Sequence, residues 1–467
     1  MNDKIPLQEW APAEVEELDL YEKREKIYTR KIEGFFQKIR QYSGWPLLLG
    51  YFLLPWLQWE GRQAVLFDLP ARKFYIFGLT IWPQDLSILA FLLIVAAFAL
   101  FLVTTVAGRV WCGYTCPQTV WTAIFMWIEQ KFEGTRNQRI KLDKQVWSLR
   151  KLSRKTLKHL MWMWVAFSTG FTFVGYFTPV HELGWQVYSL SMTVTPFSWV
   201  VFFTLATYVN AGWMREQVCK HMCPYARFQS VMFDQETLIV SYNPTRGEPR
   251  GSRKKGVQPS ALGACIDCQL CVQVCPTGID IRDGLQYECI ACALCVDACD
   301  SIMEKMDYPK GLISYTTENA IKNNSADHGV NLLRPKVLVY SFVLCVMLLV
   351  LFWRVFTIES LELNVLRDRQ AVNTAVAPGM VENRYTIKVV NKNDESKRIF
   401  LSLESSANLM LVGPAQIELQ AAEVESFPVR VQARAPDLAG LVLPITFVIS
   451  DGEQQYTHES RFIRSQR

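Results

Sequence analysis

The sequence predicts a multi-domain α-helical membrane protein with about five transmembrane helices, a cytoplasmic α+β domain before the last of them, and a C-terminal all-β immunoglobulin-like sandwich. Three observations predict it. Half of the 467 residues are hydrophobic, 20% are charged, and aromatic residues reach 13% with 15 tryptophans; a usual chain has about a quarter charged residues, and aromatic belts mark membrane interfaces. Most of the 13 cysteines fall in one stretch, Cys265–Cys299. Beyond Glu359 the composition changes to short β-rich runs separated by turn formers.

The N-terminus, residues 1–38, is polar and mixed in charge and has no apolar segment of the secretory kind, so a cytoplasmic tail without a cleavable signal is expected. Glu14 to Arg40 could form a helix, and Lys23, Arg24, Lys26, Arg30, Lys31, Lys38 and Arg40 precede the first apolar run. A four-helix membrane region follows over 39–240. Its apolar runs are Trp45–Trp59, Leu86–Ala107, Leu157–Thr178 and Val194–Trp213, and a fifth span lies in 337–357. A span needs about 20 residues, so the first run is short unless it begins nearer Ile39.

Loop charge sets the orientation. Residues 108–156 carry Arg109, Lys131, Arg136, Arg139, Lys141, Lys144, Arg150, Lys151, Arg154 and Lys155, whereas 179–193 carry no Lys or Arg. The positive-inside rule places the N-terminus, 108–156 and 214–336 in the cytoplasm, and the C-terminus outside. The net charge of +5 is modest, and no nucleic-acid partner is expected.

The cysteine-rich stretch reads CIDCQLCVQVCPTGIDIRDGLQYECIACALCVDACD. It repeats Cys-x-x-Cys-x-x-Cys-x-x-x-Cys, the spacing of bacterial-type 2[4Fe-4S] ferredoxins. There three thiolates on a tight loop serve one cluster and the fourth serves the other. The expected ligand sets therefore cross: Cys265, Cys268, Cys271 and Cys299 for the first cluster, and Cys289, Cys292, Cys295 and Cys275 for the second. Zinc would take separated Cys pairs, and disulfides would need an oxidising compartment. Pro276 follows Cys275 as the pattern expects, but Asp300 follows Cys299. This domain is expected over 261–315, after a basic linker at 241–260 that would lie on anionic lipid, and before a connector at 316–336.

In the C-terminal region, 359–467, strands are expected at Arg384–Val390, Arg398–Leu403, Gln416–Gln420, Glu425–Ala433 and Leu443–Ser450. No catalytic constellation stands out there, and a structural or docking module is expected.

A repeat is hidden in the membrane region. GRVWCGYTCP follows the second span and MREQVCKHMCP the fourth, each a Cys-x-x-x-Cys-Pro motif leading into an amphipathic stretch. Two pseudo-symmetric halves are expected. Pro117 and Pro224 suit the first turn of a helix, which puts Cys116 and Cys223 at helix N-termini, where amides and nearby Arg or Lys lower a thiol pKa. Cys112, Cys116, Cys219 and Cys223 together could bind Cu(I) or another thiophilic metal, form reversible disulfides, or hold a further cluster. His221 is read as a surface residue and Cys345 as an ordinary packed one.

The two Cys-x-x-x-Cys-Pro motifs, the RGEPRG linker, the eight-cysteine stretch, the PKGLISYTT that follows and the β-rich C-terminus resemble, in that order, the cytochrome c oxidase accessory proteins called CcoG, FixG or RdxA. The resemblance covers nearly the whole chain from about residue 30. It implies a multi-pass protein of the bacterial inner membrane that works with cbb-type cytochrome c oxidase assembly factors. It also implies a cupric reductase, converting Cu(II) to Cu(I); thiolates favour the reduced, soft ion, so binding at Cys112, Cys116, Cys219 and Cys223 would pull that reaction forward. Electrons would come from a cytosolic donor, and self-association as a homodimer is left open. Three rivals stand beside it: a quinol-oxidising ferredoxin subunit of a respiratory complex, a non-enzymatic copper chaperone or assembly scaffold, and a general redox partner in a multi-subunit complex.

Overall fold

The computed structural model describes residues 26–464 except 257–261, 324–330, 358–359, 369–373, 378–379, 393–394, 422, 435–441 and 453. Most of the expected N-terminal tail, part of the basic linker and residues 324–330 of the expected connector lie outside the described residues.

The first helix, α1 (Phe35–Leu53), starts earlier and stops sooner than the apolar run Trp45–Trp59. Pro55 sits in the tight turn Leu54–Trp56 that follows it, where a missing N–H costs nothing. Gln58–Trp59 and Arg62–Gln63 then form the hairpin β1–β2, and Val65–Asp68, Lys73–Ile76 and Leu79–Ile81 form the antiparallel meander β3–β5. Residues Glu60 and Gly61 both have positive φ, 51° and 77°, the turn geometry that matches strand twist. These strands occupy a stretch expected to be loop. Gln63 ties them to the membrane region, donating to Val65 and Gly175 carbonyls, both at 2.7 Å, and accepting from Val180 N–H.

The membrane region continues with α2 (Leu86–Ala107), α3 (Val110–Tyr114), α4 (Pro117–Glu133), α5 (Arg136–Lys144), α6 (Leu149–Gly175), α7 (Val180–Tyr188) and α8 (Val194–Thr207). A π-helical segment prolongs α8 to Met214, and α9 (Pro224–Met232) follows. Among the described residues, three helices are long and apolar enough to cross a membrane: Leu86–Ala107, Val194–Met214 and Pro335–Phe356. Leu86–Ala107 has 22 residues with 6% of its span window buried, about 33 Å of helix against about 30 Å of hydrocarbon. Its apolar surface faces outward, as lipid requires. α1 and α6 are also helices, but α1 carries Lys38 and Arg40, and α6 opens with Arg150, Lys151, Arg154, Lys155 and Lys158.

Those cations meet acids in a buried layer. Glu129 pairs with Arg139 at 2.9 Å and Arg215 at 3.0 Å, and Glu133 with Lys155 and Lys158, both at 2.9 Å. Glu129, Glu133 and Arg139 are fully buried. Their mutual pairing is what permits it.

The cysteine-rich domain is closed by a strand pair. β6 (Ile239–Tyr242) runs antiparallel to β7 (Ile313–Thr316). Around them lie α10 (Pro244–Gly247), α11 (Leu270–Val274), α12 (Leu294–Met306) and α13 (Glu318–Lys322). The expected linker thus contributes to the fold: Arg246 donates to Lys310 O at 2.9 Å and Arg253 to the Tyr308 hydroxyl at 3.0 Å. Pro276 follows the end of α11, whereas Asp300 in the matching place lets α12 run on to Met306.

The last helix, α14 (Pro335–Phe356), leads to the sandwich. Its strands are β8 (Leu361–Arg367), β9 (Thr374–Ala377), β10 (Met380–Asn391), β11 (Lys397–Ser405), β12 (Met410–Val412), β13 (Gln416–Leu419), β14 (Val424–Arg434), β15 (Val442–Ser450) and β16 (Gln455–Ile463). One sheet has the order β12-β14-β10-β8, with β9 also on β10, and the other β13-β11-β15-β16. Inward side chains such as Tyr385, Ile387, Phe447 and Phe462 fill the core between them. Lys392 joins this domain to the foot of α2, pairing with Asp85 at 2.9 Å and Glu362 at 3.0 Å. Four of the five expected strands fall within one observed here, and Gln416–Gln420 overruns β13 by one residue.

Candidate redox site

The two four-cysteine runs fold alike. Asp267 and Gln269 have φ of 51° and 52°, and the matching Ala291 and Ala293 have 53° and 55°. Left-handed residues of this kind are strained without glycine. Alternating them with ordinary residues curls successive backbone N–H groups into one concavity, an arrangement suited to anionic centres. The Ala291 N–H donates to Cys289 Sγ at 3.4 Å.

Two cavities result. One, with about 370 Å³ of empty volume, is ringed by Cys265, Cys268, Cys271 and Cys299 and closed by Tyr242, Arg282, Met303, Leu312 and Ile313. The other, about 350 Å³, is lined by Cys275, Cys289, Cys292 and Cys295, with Cys271 and the side chains of Val240, Thr277, Ile279, Ile281, Ile290 and Leu294. The fourth cysteine of each run has crossed to the cavity of the other. Among the described residues no three Cys, His, Asp or Glu side chains form a group suited to one metal ion. In a cubane each thiolate meets a different iron, so this arrangement fits [4Fe-4S] clusters. It does not offer a preformed single-ion copper site at the membrane thiols.

Burial governs the thiols. It pushes Cys271 up to about 11 and Cys289 and Cys299 up to about 12, so cluster loading must displace protons. Three of the membrane thiols behave likewise. Cys112 is raised to about 12 and Cys219 to about 11, and Cys116 is raised too. The expected lowering by helix amides and cations is present at Cys116, from the Thr119 and Gln118 N–H groups, and at Cys112 and Cys219, from Arg109. Burial outweighs it.

Cys116 and Cys223 are the residues just before α4 and α9, whose first residues are Pro117 and Pro224. Cys112 lies in α3 and Cys219 in the π-helical turn Val218–Met222. All four are half-buried, and their charges act on one another: Cys112 on Cys116 and Cys219, and Cys116 on Cys223. His221 is exposed. Cys345 is exposed on α14 rather than packed inside the chain.

The membrane thiols touch the cysteine-rich domain. Cys112 packs against the cluster of buried residues that includes Ile290 and Cys292, and its Sγ donates to Gln229 Oε1 at 3.4 Å. Gly113 lies against the same loop, where an added Cβ would stand 2.7 Å from Ile290 O and 2.9 Å from Cys292 Cα. Arg109, buried, donates to the carbonyls of Tyr287 and Ala226 and so bridges the cysteine loop and α9. Sequence reasoning missed Arg109 as a bridge and missed Gly113 altogether. From the sequence Arg109 reads as a loop charge and as a cation near the thiols.

Comparison with known proteins fits this geometry. A 4Fe-4S dicluster domain matches residues 214–318, a 4Fe-4S binding domain residues 89–134, and the IG-like fold at the C-terminal of FixG residues 351–465. The chain is 40% identical over 433 residues to the nitrogen fixation protein FixG of Rhizobium meliloti, covering 85% of this chain and 83% of that one. It is 39% identical to protein RdxB of Cereibacter sphaeroides, over 84% of each chain, and 37% identical to protein RdxA, over 89% of this chain and 91% of the relative. A crystal structure of a FixG-related protein from Vibrio parahaemolyticus matches 23% of this chain and 100% of its own, at 27% identity and a TM-score of 0.22. With the 4Fe-4S domains come an iron–sulfur redox chemistry and a role in electron transfer, and the chain belongs to the FixG/RdxA family.

Proposed function

We propose that this chain passes electrons from a cytosolic donor to Cu(II), giving Cu(I) for the copper centre of a cbb-type cytochrome c oxidase. Cys265, Cys268, Cys271 and Cys299 would hold one [4Fe-4S] cluster, and Cys275, Cys289, Cys292 and Cys295 the other. When bound, such clusters supply one-electron transfer at low potential. Reduction of Cu(II) consumes one electron and needs no proton. Cys112, Cys116, Cys219 and Cys223 would receive the copper, because thiol sulfur favours the softer, reduced ion.

The observation that carries this reading is the seating of Gly113, between Cys112 and Cys116, on the backbone of Cys292. It brings Cys112, one of the thiols that would receive the copper, against Ile290 and Cys292 in the wall of one cavity. The remaining chain holds them there: α1 and α6 would complete five spans in a bacterial inner membrane. The basic loop 108–156 supports a cytoplasmic site and a periplasmic sandwich.

A second reading has its own support. The 4Fe-4S binding domain that matches residues 89–134 includes Cys112 and Cys116, and the four membrane thiols would then hold a further cluster. Iron analysis of the purified chain separates the two, since a further cluster adds iron beyond that of two. Copper reduction is tested by adding Cu(II) anaerobically to the reduced protein and trapping Cu(I) with a chromogenic chelator. Formation of Cu(I) in step with oxidation of the protein is expected. Its absence, with rapid reduction by added quinol instead, would favour a respiratory ferredoxin subunit.

A further inference from the structure

The two cavities differ in their cations. Arg282 lines the Cys265/Cys268/Cys271/Cys299 cavity and is paired with Asp280 at 2.6 Å and Asp267 at 2.5 Å. Its charge is spent within the protein. Arg109 is 4% exposed, gives its two terminal nitrogens to backbone carbonyls, and has an Nε without a hydrogen-bond partner. Among the described residues no carboxylate pairs with it. A buried, uncompensated guanidinium is costly, and a nearby anion is what relieves the cost.

The position of Arg109 says which anion. Tyr287 precedes Cys289 by two residues, Ala226 follows Cys223 by three, and Arg109 itself precedes Cys112 by three. Its side chain therefore joins three cysteine-bearing segments.

We infer that Arg109 is a positioning residue that couples the Cys275/Cys289/Cys292/Cys295 cavity, and not the other, to the membrane thiols, and that it raises the reduction potential of the iron–sulfur group held there. This rests on the reading that electrons leave toward those thiols. The direction follows from charge. An unpaired cation stabilises the reduced, more negative state, so an electron runs downhill from the cavity with the neutralised Arg282 to the cavity beside Arg109. One electron enters from a low-potential cytosolic flavin or iron–sulfur protein and one leaves to Cu(II). No bond forms and no proton is transferred.

The test is an anaerobic redox titration of the full-length, iron-replete protein, followed by electron paramagnetic resonance without copper. In Arg109→Gln one midpoint potential falls by the equivalent of a tenfold change in the reduction equilibrium, about 59 mV for one electron, while the other stays put. The displaced signal is the one that Cys289→Ser alters, and Arg109→Lys, which keeps the charge, keeps the wild-type potential. Two unchanged potentials, two equal falls, displacement of the other signal, or a fall in Arg109→Lys overturns the inference. Should Arg109→Gln lose its iron, Arg109→Met, which keeps much of the side-chain volume without the charge, is titrated in its place with the same outcomes. Because copper is absent, the result is independent of whether the protein reduces Cu(II).

Discussion

The Asp297 carboxylate accepts the backbone N–H of Gln37 at 2.8 Å, and that of Phe36 at 3.2 Å. A residue between two cluster-run cysteines thereby caps the N-terminus of α1, tying the cysteine-rich domain to the membrane region. Gly34 makes room for it, since an added Cβ would fall 2.2 Å from Asp297 Cγ. Removing a cap of this kind costs about 0.5–2 kcal/mol. Asp297→Ala is expected to lower the thermal midpoint and speed iron loss, and Asp297→Asn to recover much of both; the visible absorbance of the clusters on heating reports it.

Gly113 sets the approach of α3 to the Cys292 loop. Gly113→Val is expected to keep both clusters and their potentials but to slow Cu(II) reduction by roughly tenfold to a hundredfold, the penalty typical of an ångström-scale misplacement. Rapid mixing of reduced variant with Cu(II) measures it. A wild-type rate would show that electrons leave elsewhere.

The buried charge layer should matter for stability more than for transfer. Arg139 and Glu129 stand 2.9 Å apart with both side chains out of water. Arg139→Met strands Glu129 beside fewer cations, and breaking such a pair costs about 3–5 kcal/mol. Reduced yield and a lower thermal midpoint are expected, with unchanged cluster potentials in the material that folds.

Acid should weaken the same region through Asp143. Burial alone would raise its carboxyl, but hydrogen bonds from Lys155, Lys26 and Tyr28 outweigh it and hold the group well below the usual carboxylate range. Its stabilisation is therefore complete above the ordinary value of about 3.9 and is lost as pH falls through the lower, folded-state value. Thermal midpoints measured downward from pH 6 should fall more steeply in the wild type than in Asp143→Asn, which starts lower.

Much of this was legible in the chain because the signals are local. Cysteine spacing is dictated by loops that must wrap a cluster, so the crossed sets can be written from the sequence and reappear around the two cavities. Period-two alternation marks runs such as Arg398–Leu403. By contrast, β16 was missed because Tyr456 to Phe462 mixes polar residues on both faces, and β1–β5 because short strands carry little periodicity. The pairing of Ile239–Tyr242 with Ile313–Thr316 spans too much chain for any local pattern. The Cys116 thiol is raised where the sequence points to lowering, since helix amides are visible in a sequence and burial is not. Arg109 and Gly113 have chemistry only through what folds against them.

The central claim is that electrons reach copper at the four membrane thiols. The decisive measurement mixes reduced Cys112→Ser/Cys219→Ser protein anaerobically with Cu(II) and follows iron–sulfur absorbance and trapped Cu(I) together. Wild-type iron content and little or no Cu(I) are expected, while the unaltered protein yields Cu(I) as its absorbance changes. Undiminished Cu(I) formation in the iron-replete double variant would contradict it.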